Sequence, residues 1–176
     1  LAFIIINNLL SPRYDIDKDA QGQVTLLGTA GRNLPAESAA LHAGLGPCQV
    51  RHGLHLFPDL LPRLEQLAAR AGYVSILLEP LTYHNAVMYE NHGFAYITGQ
   101  ARMLRIDRAF APGGALARRM DGSTPFRQPH LAHTSRGRSW AIHDGILRDW
   151  DGQEELALQM VKVIGVDARV RTFLAG

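Results

Sequence analysis

Apolar and polar positions divide the chain into short β-branched runs and longer amphipathic ones. Residues 2–7 (AFIIIN) form a continuous β-branched run, the pattern of a buried strand. Residues 11–22 hold Pro, Asp and Gly and read as a loop. Residues 24–27 give a second short strand, closed by Gly28 and Gly31. A helix is expected over residues 35–43, with Pro35 at its first position and Gly44, Gly46 and Pro47 ending it. The clearest helix spans residues 58–71. Leu60, Leu61, Leu64, Leu67, Ala68 and Ala71 recur there at three- and four-residue spacing and make one apolar face. Pro62 is expected in its first turn, where a missing N–H costs little, and Gly72 just past its end.

Residues 73–78 are almost wholly apolar, as in an interior strand covered on both faces. Pro80 breaks that strand, and Thr82 can cap a short helix that turns Ala86, Val87 and Tyr89 inward and ends near His92. Gly93 is then the left-handed cap, and Phe94 pins the helix end to the core. Strands are expected at 95–98 and 101–106, on either side of Gly99. Beyond them the pattern gives a turn at 112–114, a long loop at 121–137, a strand at 139–142, a helical turn at 154–159 and a strand at 160–166.

Composition sharpens this picture in a few places. With 176 residues, 47% of them hydrophobic, the chain can bury one sizeable core, alone or with an appendage. A net charge of +2 without a Lys/Arg run gives no reason to expect nucleic acid as a partner. Arg102, Arg105, Arg108, Arg118 and Arg119 form a loose basic stretch that reads as solvated surface. Cys48 is the single cysteine, so no internal disulfide can form and a reducing, cytoplasmic setting is expected. No apolar run approaches the roughly 20 residues of a membrane helix, so no membrane partner is expected. The chain begins with Leu rather than Met, which leaves room for an upstream segment that the first strand would continue.

The end of the short helix expected after Thr82 carries the most specific signal. Tyr89-Glu90-Asn91-His92-Gly93-Phe94 has the form Y-E-x-x-G-F, which resembles a signature of the GNAT N-acyltransferases. The resemblance covers residues 49–98. It implies an α/β fold, a GNAT-like mixed sheet flanked by helices, with an acyl-CoA-binding core over 1–107 and a C-terminal extension over 108–176. It also implies transfer of an acetyl or other acyl group from CoA, as cosubstrate, to a small-molecule amine or a peptide, with no metal. Tyr89 matches the residue that returns a proton to the CoA thiolate, a task that suits a phenol protonated at neutral pH. Glu79, at the carboxyl end of the strand, and His84 just beyond it are the residues that could take the amine's proton. Thr82 and Asn85 stand where the family often has Asn and a small residue beside the cofactor.

The family's phosphate cradle, Q/R-x-x-G-x-G/A, falls on Val50-Arg51-His52-Gly53-Leu54-His55. Gly53 matches its first glycine. Val50 and His55 depart from it, and a His at the last position would crowd the backbone cradle. Arg51, His52 and His55 offer side chains to phosphate instead. That departure keeps open a second reading, a GNAT-like fold that binds or dimerises without catalysing. A third reading, a metal-dependent enzyme with a histidine site, rests on eight histidines, two pairs of which (His52/His55 and His130/His133) have the H-x-x-H spacing that can bring two imidazoles to one metal ion. Trp140, Trp150, Phe126 and Phe173 need a partner surface, either the core or a second copy in a homodimer.

Overall fold

A computed structural model describes residues 6–19, 21–25, 31–153 and 156–174. The chain divides into two compact units, 1–57 and 58–176, so the expected division at 107 falls inside the second.

In the first unit, α1 spans Leu34–His42 and starts as expected. Asn33 caps it by accepting the Ala36 N–H at 3.2 Å. Glu37, buried in this helix, is paired with Arg32. Extended structure among the described residues is limited to two isolated bridges, Asn7 with Gly53 and Lys18 with Val24. The strands expected at 2–7 and 24–27 otherwise lie outside the described residues.

The boundary between the units falls after the first residue of α2, Phe57–Arg70, which starts one residue earlier than expected. Pro62 therefore lies in the second turn rather than the first, on an exposed position. Next come β1 (Ser75–Leu78), α3 (Tyr83–Asn91), β2 (Ala95–Thr98), α4 (Gln100–Phe110), α5 (Ser135–His143), α6 (Ile146–Asp151) and β3 (Gln159–Val163). A short 3-10 turn at Ala117–Arg119 precedes the stretch expected as loop, and a second at Pro129–His133 lies within it. A helical turn expected at 154–159 includes residues outside the description, and Gln159 opens β3 instead.

The described sheet is antiparallel throughout, not mixed, and runs β1-β3-β2. Leu77 pairs with Val161 and Val161 with Ala95, while Leu78 and Tyr96 flank Met160. Side chains alternate across it. Met160 and Lys162 are buried on one face, whereas Leu77 (60% exposed) and Val163 lie open on the other. Among the described residues β1 is thus an edge strand with one open face, not the doubly covered interior strand its apolar run suggested. The C-terminal third is not an appendage to this sheet, because it supplies the middle strand.

Two expected strands are helices. Residues 101–106 belong to α4, where Met103, Ile106, Asp107 and Phe110 fall on one face and are buried. Residues 139–142 belong to α5, which is buried at four successive side chains, Arg138, Ser139, Trp140 and Ala141. Trp140 stacks on Phe126 with ring centroids 5.1 Å apart, and Arg105 lies over the Trp150 ring at 5.3 Å. These aromatic groups find partners within the unit. Arg102, expected in solvent, is mostly buried and paired with Asp151 at 2.9 Å.

Arg138 is the least expected member of the core, at 1% exposure. Its guanidinium meets Asp107 at 2.6 Å and the Ala132 carbonyl at 2.7 Å, and lies over the rings of Phe110 and Phe173 at 5.1 and 4.6 Å. A charge can remain buried only when paired and hydrogen-bonded in this way. Gly137 allows the approach that seats it. A Cβ there would fall 2.2 Å from the Leu131 carbonyl oxygen.

Candidate active site

The candidate site forms around α3, which the sequence bounds correctly at both ends. Thr82 has the extended backbone of an N-cap, yet its hydroxyl makes no bond to the helix N–H groups. It lies 2.9 Å from His84 Nδ1 instead. Ser139 reaches the same nitrogen from α5, with its Oγ at 3.0 Å, and also accepts the His84 backbone N–H at 3.5 Å. His84 is 8% exposed, and its Nε2 finds no hydrogen-bond partner among the described residues. Burial, reinforced by the nearby Arg136 charge, pushes its pKa down to about 4. The imidazole is therefore neutral at physiological pH.

The other end of α3 is the Y-E-x-x-G-F turn. Gly93 has φ +81°, and a Cβ there would lie 3.0 Å from the Asp167 Cα, so both its backbone and its surroundings require glycine. Phe94 is buried, with its ring 5.3 Å from that of Tyr89. Tyr89 is half-buried, and burial pushes its phenol pKa up. Glu90, fully buried, accepts the Tyr96 hydroxyl at 2.6 Å, the Thr172 N–H at 2.8 Å and the Thr172 hydroxyl. Burial and that bond to Glu90 raise the Tyr96 pKa strongly.

Tyr89, His84 and the half-buried Asn85 thus share one helix with Thr82 at its N-cap position, and Glu79 lies just past β1 on an exposed position. Arg51, His52, Gly53, Leu54 and His55 belong to the other unit. There the Arg51 guanidinium donates to the carbonyls of Leu9 and Ser11, and the His52 carbonyl accepts the Asn8 N–H at 2.8 Å. Gly53 bridges Asn7, His55 has φ +55°, and α2 starts only at Phe57. The backbone around Gly53 is engaged in a bridge rather than opening a helix, which is what a phosphate cradle needs.

Sequence reasoning missed Ser139, because it read residues 139–142 as a strand rather than as part of the helix that packs beside α3. It missed Thr172 as the partner of Glu90, because no local pattern joins residues so far apart. Among the described residues, no group of three or more His, Cys, Asp or Glu side chains could hold a metal ion, and no helix is long and apolar enough to cross a membrane. No family model, curated protein or solved structure matches the chain.

Proposed function

We propose that the chain is a GNAT-like N-acyltransferase that moves an acetyl or other acyl group from CoA to an amine. The observation that carries this reading is the Tyr89–Phe94 turn. Its glycine has the left-handed backbone that the motif calls for, and its tyrosine is a half-buried phenol. A phenol with a raised pKa stays protonated at neutral pH and can give its proton to a departing thiolate. The amine attacks the thioester carbon directly, and His84 or Glu79 takes its proton. Calorimetric titration with acetyl-CoA, desulfo-CoA and ATP tests the cofactor. Micromolar binding to the CoA species alone is expected, and no binding at millimolar ligand would sink the reading. Once turnover is measured, Tyr89→Phe should lower kcat by at least about tenfold. A smaller loss would leave the phenol a packing group.

A second reading is supported by residues 50–55. With Gly53 in a bridge and Arg51 engaged by loop carbonyls, the chain could be a GNAT-like module that binds or dimerises without catalysing. His55→Gly separates the two. Tighter CoA binding in that variant supports a cradle that His55 blocks, and unchanged binding places the cofactor contacts elsewhere.

A further inference from the structure

The two outer strands of the sheet differ in how their edges are guarded. β2 carries a register shift between Tyr96 and Thr98, the kind of irregularity that turns an edge away from further pairing. β1 pairs with β3 without a shift, and residues 73–78 hold neither charge nor proline. Among the described residues its other edge is unpaired, and Tyr73, Val74 and Leu77 are exposed along it. The Ile164 N–H donates to the Val74 carbonyl at 3.0 Å, and Ile76 and Leu78 follow in the same register opposite Lys162 and Met160. Bonding alternates along an antiparallel ladder, so the residues between them, Ser75 and Leu77, turn their N–H and C=O groups outward. Unlike charges stand at the two ends of this strand. Glu79 follows it, and Arg70 lies in the last turn of α2, tied to the start of the strand by the bond from the Tyr73 N–H to the Ala68 carbonyl at 2.9 Å. Both are exposed, and among the described residues neither side chain has a hydrogen bond or ion pair.

We propose that β1 pairs antiparallel with β1 of a second copy of this chain, across a two-fold axis centred on Ile76, and so joins the two sheets edge to edge. In that register Ser75 of each copy exchanges main-chain bonds with Leu77 of the other, which uses the outward N–H and C=O groups of both residues. Val74 comes beside Leu78 of the second copy on one face, and Leu77 beside Ser75 on the other. The charges select a second copy as the occupant. A two-fold sets the start of one strand against the end of the other, so Tyr73 stands opposite Glu79 and Arg70 comes to that carboxylate, twice in each dimer. The strand between them is uncharged, so like charges are not brought together along it. The pairing does not depend on whether the chain binds CoA.

Sedimentation equilibrium of the full chain, from low to high micromolar concentration, should show a reversible monomer–dimer equilibrium that weakens with added salt. Leu77→Lys places a charge on the open edge and should weaken the dimer at least about tenfold. Glu79→Arg sets like charges against each other at both ends of the paired strands and should weaken it about tenfold. Adding Arg70→Glu to that variant reverses both charges and should restore the dimer to within about threefold of the original. All of these positions are exposed, and circular dichroism checks that each variant keeps the wild-type fold. A chain that stays monomeric at the highest concentration would overturn the proposal. A dimer that none of the changes weakens would overturn it too, by placing the contact on another surface. Failure of the double reversal to restore association would overturn the two-fold that brings Arg70 to Glu79.

Discussion

Two buried polar clusters lie at opposite ends of α3, and they are built on different terms. Around Glu90 each carboxyl oxygen has a partner, and the donors come from β2 and from the C-terminal segment. Around His84, among the described residues, one ring nitrogen has two partners and the other has none. A closed network fixes how elements pack, and any missing member leaves an unpaired group inside. An open one retains a chemical valence that packing has not used. The difference separates the part of the Y-E-x-x-G-F turn whose polar groups are all used in packing from the part of α3 that keeps one ring nitrogen unused.

The sharpest way to break the contrast is Glu90→Ala. It strands the Thr172 N–H and the hydroxyls of Thr172 and Tyr96, and should cost about 3–4 kcal/mol in urea unfolding. A loss below 1 kcal/mol would mean that the closed cluster contributes little.

Acid should act on the open cluster. His84 has a folded pKa of about 4, against about 6.5 in the unfolded chain, so the unfolded chain takes up the proton first. Stability from this group is complete above about pH 6.5 and falls by about 3 kcal/mol as the pH drops toward 4. His84→Gln should flatten that slope, and an unaltered slope would assign it to other groups.

The smallest effect compares two threonines. Thr172→Val removes a hydroxyl donor from Glu90 and should cost about 2 kcal/mol, whereas Thr82→Val leaves Nδ1 with Ser139 and should cost about 1 kcal/mol or less. Chemical denaturation of both variants checks the order, and a reversed order would contradict the division into closed and open clusters.

The local elements were legible where one signal dominated. The leucine stripe defines α2, Gly72 and Gly93 end their helices, and β2 lies where its residues suggest. α4 was misread because Leu104 and Ile106 invite a strand reading, while the helical spacing of Met103, Ile106 and Phe110 continues past it. α5 was misread because Arg138 and Ser139 look like surface until Asp107, two aromatic rings and His84 are known to receive them. His84 was named from the sequence, but its burial was not, since its partner lies on a helix read as a strand. The sheet order was not legible at all. Pairing between strands far apart in the chain leaves no trace in either strand's own periodicity.

That sheet order has a consequence for how the molecule is made. Among the described residues, β1 and β2 do not pair with each other, and each pairs only with β3. The ribosome must add residues 99–158 before the strand that joins them begins to emerge. At about 5–20 residues per second, two apolar strands wait for roughly 3–12 s with no neighbour on either edge. During that interval, α3 and the turn at Gly93 have no sheet to rest on, and pairing with another nascent chain competes with completion of the fold.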